Sequence, residues 1–414
     1  MRMFVLGFPH TQTLDPRDLE VIPACFFTEL IWNFCSIMAA RGHEVIHIGT
    51  AGSRPPPGVE QIDDCTAEEW QILYGSGSVS ILGSDPAHGC HRRRFADRVR
   101  QILLDRGGDP HSSIVCTLWR ADGATNSVPQ YVCEYSIGYP HAFAQWRVYQ
   151  SHAWRHFSEG QDNNTQGNRW YWQVIPMPID MTLFGPVVGQ KDDYLLVQCR
   201  MTDNKGVRLA VQIAKAANIP IILTGRGDGA PYVAEWPGSS KFLGSVSVGQ
   251  RRELMRKARA LLSPTLYMEP LGAVALEAMA SGCPVISTDW GGFTDTVVHA
   301  DSDGKCGTGW RCSTFEEFLW AVRNIRRSSG TGDSAVRARG AGDGAVGTWR
   351  SGGTGGTSRR TWWARRTGNS AVGTWRSGGT GDCTGRSGGT GTASPLIGQW
   401  SAWCRLLGWD ASSE

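Results

Sequence analysis

Apolar residues in this chain fall into short uninterrupted runs, separated by stretches in which they recur at helical spacing. Met3 to Gly7 is the first run. The loop Phe8-Pro9-His10-Thr11-Gln12-Thr13 follows, then a helical stretch from Phe26 to Arg41, the turn Gly42-His43-Glu44 and a second run, Val45 to Gly49. Parallel strands need a crossover of about this length, so strand, loop, helix, strand predicts the opening unit of a doubly wound parallel sheet. Further strands are expected at Ser113 to Leu118 and Tyr131 to Tyr135, and three consecutive prolines between Ser53 and Gly58 mark a surface loop. The alternation resumes with a strand at Tyr194 to Gln198, a helix at Val207 to Ala217, strands at Ile219 to Thr224 and near Phe242-Leu243-Gly244, and a basic helix at Arg251 to Arg259. An apolar strand then ends at Pro264. After it a loop carries Glu269, Pro270, Leu271 and Gly272, an alanine-rich helix runs from Ala273 to Gly282, and another strand spans Pro284 to Thr288. The expected fold class is α/β, with two Rossmann-like domains.

Beyond Ile325 the pattern stops. Gly, Thr, Ser, Arg and Trp dominate, and A-V-G-T-W-R-S-G-G-T-G occurs twice, at Ala345 to Gly355 and Ala371 to Gly381. Without an apolar stripe at period two or 3.6, this stretch is expected to be a disordered tail with no stable sheet, apart from one short helix over Leu396 to Leu407. The expected division is residues 1–173, a linker at 174–190 with Pro176 and Pro178, a second domain at 191–327, and the tail at 328–414.

Charge changes the picture little. The 41 basic and 38 acidic side chains include ten Arg and five acids beyond Ser328, so the net +3 belongs to the tail and the body is close to neutral. That excludes a nucleic-acid-binding body as the default reading. The twelve cysteines form no C-x-x-C pair, and Cys35, Cys133, Cys199 and Cys283 sit in apolar runs, as reduced core thiols of a cytoplasmic protein would. Met1 to Gly7 is too short for a secretory signal. Ala24 to Ala40 is broken by Glu29 and Asn33 and is under spanning length, so no transmembrane segment is expected; peripheral membrane contact stays open.

Candidate chemistry concentrates at the loop before the alanine-rich helix. A Gly at a helix mouth lets a ligand approach the unpaired N–H groups, which with the helix dipole favour a phosphate. Glu269 and Glu277 flank that anion site, an arrangement suited to a ligand that also carries hydroxyls. Arg200 and Lys205 bracket another strand-end loop, where a planar fork and a mobile point charge suit a diphosphate. Three weaker candidates are Asp301-Ser302-Asp303, read as a polar turn and not a metal site; His88, Cys90 and His91 beside Arg92-Arg93-Arg94, whose spacing suits no zinc pattern; and His10, in a loop on the acceptor side.

The segment Glu269 to Glu277, followed by Ala278-Met279-Ala280-Ser281-Gly282-Cys283-Pro284-Val285-Ile286, resembles the donor motif of the retaining GT-B glycosyltransferases of group 1 (family 4). Three other stretches are similar to members of that set. These are Val132 to Tyr139 with Phe143 to Tyr149 and Ser151 to Trp154; the connector Val174 to Asp180; and Gln198-Cys199-Arg200 with Lys205-Gly206, where Cys199 replaces the usual Gly. The resemblance implies a GT-B architecture with two domains facing across a cleft. It also implies metal-independent transfer, with retention, from a nucleotide-diphosphate sugar to an acceptor (glycan, lipid or protein) left open. No cofactor is expected. Under it Arg200 and Lys205 bind the diphosphate, Glu269 holds sugar hydroxyls and Glu277 the ribose. The N–H groups near Leu271, Gly272 and Ala273 receive phosphate and sugar oxygens, while Leu243 and Gly244 meet the base, with Gly225 in the G-x-G turn. The alternative is a degenerate, non-catalytic nucleotide-sugar-binding protein, since the tail replaces the family's closing helices.

Overall fold

In a computed structural model the chain divides into two units, the first built on Met1–Gln150 and Phe157–Pro178, the second on Ser151–His156 and Ile179–Ala393. The structure describes residues 1–9, 11–20, 26–74, 86–119, 121–162, 171–179, 181–185, 191–300 and 307–325, and strand segments 337–339, 346–350, 360–367 and 370–374. His10, Asp180, Asp301 to Asp303 and the expected helix at 396–407 lie outside them, as do the side chains of His88, Cys90 and His91.

The first unit runs β1 (Arg2–Leu6), α1 (Phe26–Ala40), β2 (Glu44–Gly49), β3 (Val59–Asp63), α2 (Ala67–Tyr74), α3 (Pro86–Arg106), β4 (Ser113–Thr117), α4 (Asp122–Thr125), β5 (Tyr131–Ile137), β6 (Trp146–Tyr149), the second half of α5 (His152–Gln161), whose first residues belong to the second unit, and β7 (Trp172–Val174). Its sheet is parallel, in the order β3-β2-β1-β4-β5-β6-β7. Helix α1 forms because Leu30, Ile31, Phe34, Cys35 and Met38 make one buried face, and it ends where Gly42 takes φ 81°. The Arg92 to Arg94 run lies within α3, with Arg93 and Arg94 exposed.

The second unit continues with α6 (Met181–Phe184), β8 (Leu195–Gln198), α7 (Val207–Ala217), β9 (Ile221–Thr224), α8 (Ala230–Val233), β10 (Ser240–Phe242), α9 (Val248–Lys257), β11 (Ala260–Ser263), α10 (Ala273–Ala280), β12 (Val285–Thr288), α11 (Phe293–Thr296), β13 (Gly309–Cys312) and α12 (Phe315–Asn324). Its six strands are parallel, in the order β10-β9-β8-β11-β12-β13. Strands β8 and β11 are near-continuous apolar runs because helices cover both faces of a parallel sheet. Leu195, Val197, Val211, Ile213, Leu223, Leu262, Ile286, Phe318 and Val322 pack into one core. Capping boxes start α9 (Ser247 with Gln250) and α12 (Thr314 with Glu317). Two parallel-sheet α/β units are therefore present, as the alternating pattern predicts.

The tail corrects one expectation. Where no sheet is expected, the described segments β14 (Arg337–Arg339), β15 (Val346–Arg350), β16 (Arg360–Thr367) and β17 (Ser370–Thr374) pair antiparallel. The duplicated blocks supply β15 and most of β17. Each carries Val, Thr and Trp, residues that favour extended backbone, and backbone pairing needs no apolar stripe.

Candidate functional site

In an open parallel sheet, a crevice forms outside the strand carboxyl ends where the order reverses, because the connections there depart to opposite sides. In the second unit that point lies between β8 and β11. Residues Cys199 to Gly206 follow β8 and Pro264 to Gly272 follow β11, so the topology brings two separately predicted loops together.

They are stitched to each other. Asn204 O accepts from Leu266 N at 2.9 Å and from Thr265 Oγ1 at 3.4 Å. Gly206, at φ 71°, lies so close to the Pro264 carbonyl that a Cβ would approach its oxygen to 1.9 Å, so only glycine fits. Across this seam Lys205 Nζ donates to Glu269 Oε2 at 2.8 Å and to the Tyr267 hydroxyl at 2.5 Å, and that hydroxyl donates to Glu269 Oε2 at 2.6 Å. Lys205 and Glu269 are largely buried, while the Arg200 side chain is exposed and makes no hydrogen bond or ion pair with any described residue. Cys199 is half-buried. Burial pushes its thiol up to about 12, against the opposing charges of Lys205 and Arg200, so it stays protonated.

The remaining donor-side candidates surround this knot. Gly272 caps α10 in the left-handed region at φ 78°, and a Cβ there would strike the Phe293 ring. Leu271 is buried and its carbonyl accepts from Thr296, while Ala273 is half-buried. Gly225 donates to the Gly244 carbonyl at 2.8 Å, joining the G-x-G turn to the loop in which Leu243 is exposed. Glu277 is only 4% exposed, and its Oε1 lies 3.2 Å from Arg251 Nη2.

Three residues here escape the sequence reading. Tyr267 shows no periodic signal, and only its place two residues before Glu269 marks it. Arg251 reads simply as one of several cations on a basic helix. Trp290, whose Nε1 donates to the Tyr267 carbonyl at 3.2 Å, comes from the turn after β12. Among the described residues, no cluster of His, Cys, Asp and Glu could hold a metal ion, and no helix is long and apolar enough to cross a membrane.

In the first unit the order reverses between β1 and β4, where Trp119 Nε1 donates to the Gly7 carbonyl at 3.1 Å. Nearby, His47 is fully buried. Gln61 gives its amide N–H to Asp63, so its oxygen faces His47 Nδ1 at 2.5 Å and fixes the Nδ1–H tautomer, leaving Nε2 to accept from Thr13 Oγ1 at 3.2 Å. Burial lowers the His47 pKa, opposed by Gln61 and by Asp63 and Asp64. An unfolded His binds its proton near pH 6.5, before the folded one does, so this contribution to stability is present above that pH and is lost as pH falls. Thermal melts from pH 7.5 to 5 should therefore show the first unit losing stability, and His47→Gln should flatten that slope; an unchanged slope would refute the assignment.

Residues 192–325 match the family model described as glycosyl transferases group 1. Over 148 residues the chain is 31% identical to an uncharacterized glycosyltransferase of Methanocaldococcus jannaschii, a match covering 31% of this chain and 38% of that protein. The matched part thus spans well under half of the relative's length. Among solved structures, sucrose-phosphate synthase from Thermosynechococcus elongatus superposes with a TM-score of 0.56 at 17% identity, covering 78% of this chain and 89% of that one. The catalytic domain of starch synthase IV from Arabidopsis thaliana, solved with ADP and acarbose, gives 0.58 at 10% identity, covering 78% and 90%. The second unit is thus similar in sequence to the group 1 glycosyl transferases, on a chain whose two parallel-sheet units share the GT-B fold of solved glycosyltransferases.

Proposed function

We propose that the chain transfers a glycosyl group, with retention and without a metal, from a nucleotide-diphosphate sugar held by the second unit to an acceptor hydroxyl. The observation that carries this reading is the exposed Arg200, whose side chain bonds to no described residue, beside the Lys205–Glu269 pair at the reversal point of the second sheet. A diphosphate offers charge and oxygens enough to engage both cations, and the α10 N-terminus adds N–H groups at Gly272 and Ala273 that have no intrahelical partner. In this reading Glu277 accepts from the ribose, the Leu243–Gly244 backbone with Gly225 meets the base, and Glu269 orients the sugar. The bond from the anomeric carbon to the diphosphate oxygen breaks as the bond to the acceptor oxygen forms on the same face, and the acceptor proton passes to the departing phosphate. Arg200 and Lys205 act by stabilising the charge that builds on that phosphate. The ADP held by the starch synthase of the same fold supports a nucleoside-diphosphate donor.

A thermal-shift panel of UDP, GDP and ADP tests the reading, because a ligand that binds only the folded state raises the melting temperature and names the base. By calorimetry, Arg200→Ala and Lys205→Ala should each weaken the best diphosphate about tenfold to a hundredfold, the scale of one charge-assisted hydrogen bond. Unchanged affinity in both variants would sink the diphosphate assignment.

A further inference from the structure

The Tyr267 side chain sits where the two donor loops meet, and the bonds around it are directional. Its oxygen accepts from Lys205 Nζ at 2.5 Å and its proton goes to Glu269 Oε2 at 2.6 Å, while the ammonium lies 4.3 Å from its ring centroid. Burial, followed by the charge of Glu269, pushes the phenol well above its usual range, so it remains a donor throughout the working pH range. Two of the three Lys205 protons are thereby committed, to Tyr267 and Glu269, and the third remains for a ligand.

The backbone beneath is clamped independently. Trp290 Nε1 holds the Tyr267 carbonyl, and Gly292 N donates to the Glu269 carbonyl at 2.6 Å. Gly291, at φ 63°, lies so near that a Cβ would come within 2.7 Å of Glu269 O. The turn after β12 therefore fixes the segment that presents the phenol, and Asn204 fixes the turn that presents the lysine. Without the phenol, a lysine on four rotatable bonds would collapse onto Glu269 or sample solvent.

We propose that Tyr267 is a positioning residue that holds the Lys205 ammonium at a set place between Glu269 and the diphosphate site. Its role in donor binding rests on the function proposed above; its hold on Lys205 does not. The phenol gives the cation a neutral second anchor, so that an arriving diphosphate meets it already aimed and need not pull it out of a full ion pair.

Two measurements on the full chain separate the inference from the reading it rests on. The first is a double-mutant cycle by calorimetry with the nucleoside diphosphate that binds wild type best. Tyr267→Phe, which removes one oxygen and keeps the ring, should weaken binding about fivefold in the wild-type background. In a Lys205→Ala background it should weaken binding less than twofold, because the group it positions is gone. Equal losses in both backgrounds, or none in either, would overturn the role in donor binding, since a merely structural tyrosine acts additively. The second uses no nucleotide. Acetic anhydride labelling, read by mass spectrometry against the exposed Lys241, should rise several-fold at Lys205 in Tyr267→Phe. Unchanged labelling would overturn the positioning role itself. A wild-type chain that binds no nucleoside diphosphate, together with the labelling rise in Tyr267→Phe, would remove the proposed function and leave the phenol's hold on Lys205 standing.

Discussion

Glu269→Gln is expected to lower turnover by about a hundredfold or more while leaving nucleoside-diphosphate affinity unchanged or slightly improved. The two effects have opposite signs for one reason. Glu269 is the countercharge of Lys205, at 2.8 Å, and a neutral amide of the same size releases that cation toward a diphosphate. The amide cannot hold Lys205 and Tyr267 with the same strength, and it loses the charged acceptor proposed for the sugar hydroxyls. Removing one preorganised group from the reacting centre costs about 10²–10³ in rate. Glu277→Gln provides the contrast. It pairs with buried Arg251 and, in the proposed reading, accepts from the ribose, so its loss should appear in donor binding more than in turnover. Initial rates with the donor named by the thermal-shift panel, beside calorimetry with its diphosphate, read both. A Glu269→Gln enzyme as fast as wild type would remove Glu269 from the chemistry.

The second large effect concerns the first unit. Glu134 is fully buried on β5, and its carboxylate accepts from Tyr139 OH at 2.8 Å, Phe143 N at 2.6 Å and Ala144 N at 2.7 Å. Burial lifts its carboxyl above the usual range, and the three donors with Arg147 oppose that rise. Arg147 is itself buried, bonded to Ala144 O and Asp162 and stacked over Trp172. Glu134→Ala strands three donors, Ala144 N buried and Tyr139 OH and Phe143 N half-buried, and removes a neighbouring negative charge from Arg147. The expected loss is about 3–5 kcal/mol, the scale of breaking one partner out of a buried charged network. Glu134→Gln, which keeps an acceptor oxygen, should lose markedly less. Urea titration followed by tryptophan fluorescence reads it, with Glu269→Gln as a second-unit control that leaves the first unit's transition in place. A loss under about 1 kcal/mol would mean that the loop Tyr139 to Ala144 is held by other contacts.

The alternation of apolar runs with helical spacing suffices for the architecture, because a parallel strand buried on both faces must be apolar throughout and its crossover helix must carry one apolar face. β8, β11, α7 and α10 can be read directly for this reason. The shorter elements at the edges cannot. β3, with no buried residue, and β7, of three residues, carry too little apolar signal. In the tail the Val, Thr and Trp of the duplicated block carry a strand preference that a search for an apolar stripe overlooks.

For the site, the sequence by itself determined which residue types stand at each strand end: Arg200 and Lys205 after one, Glu269 and Gly272 after another. Only the tertiary structure decided that those ends are neighbours, because β8 and β11 are adjacent through a crossover that no local pattern specifies. It also decided the partners: Tyr267 for Lys205, Arg251 for Glu277, Trp290 for the loop that carries Tyr267. The reason is physical. A backbone pattern repeats every two or 3.6 residues and is written locally, whereas a hydrogen bond between side chains 62 residues apart depends on register and rotamer across separate elements, and these are fixed only once the core has packed.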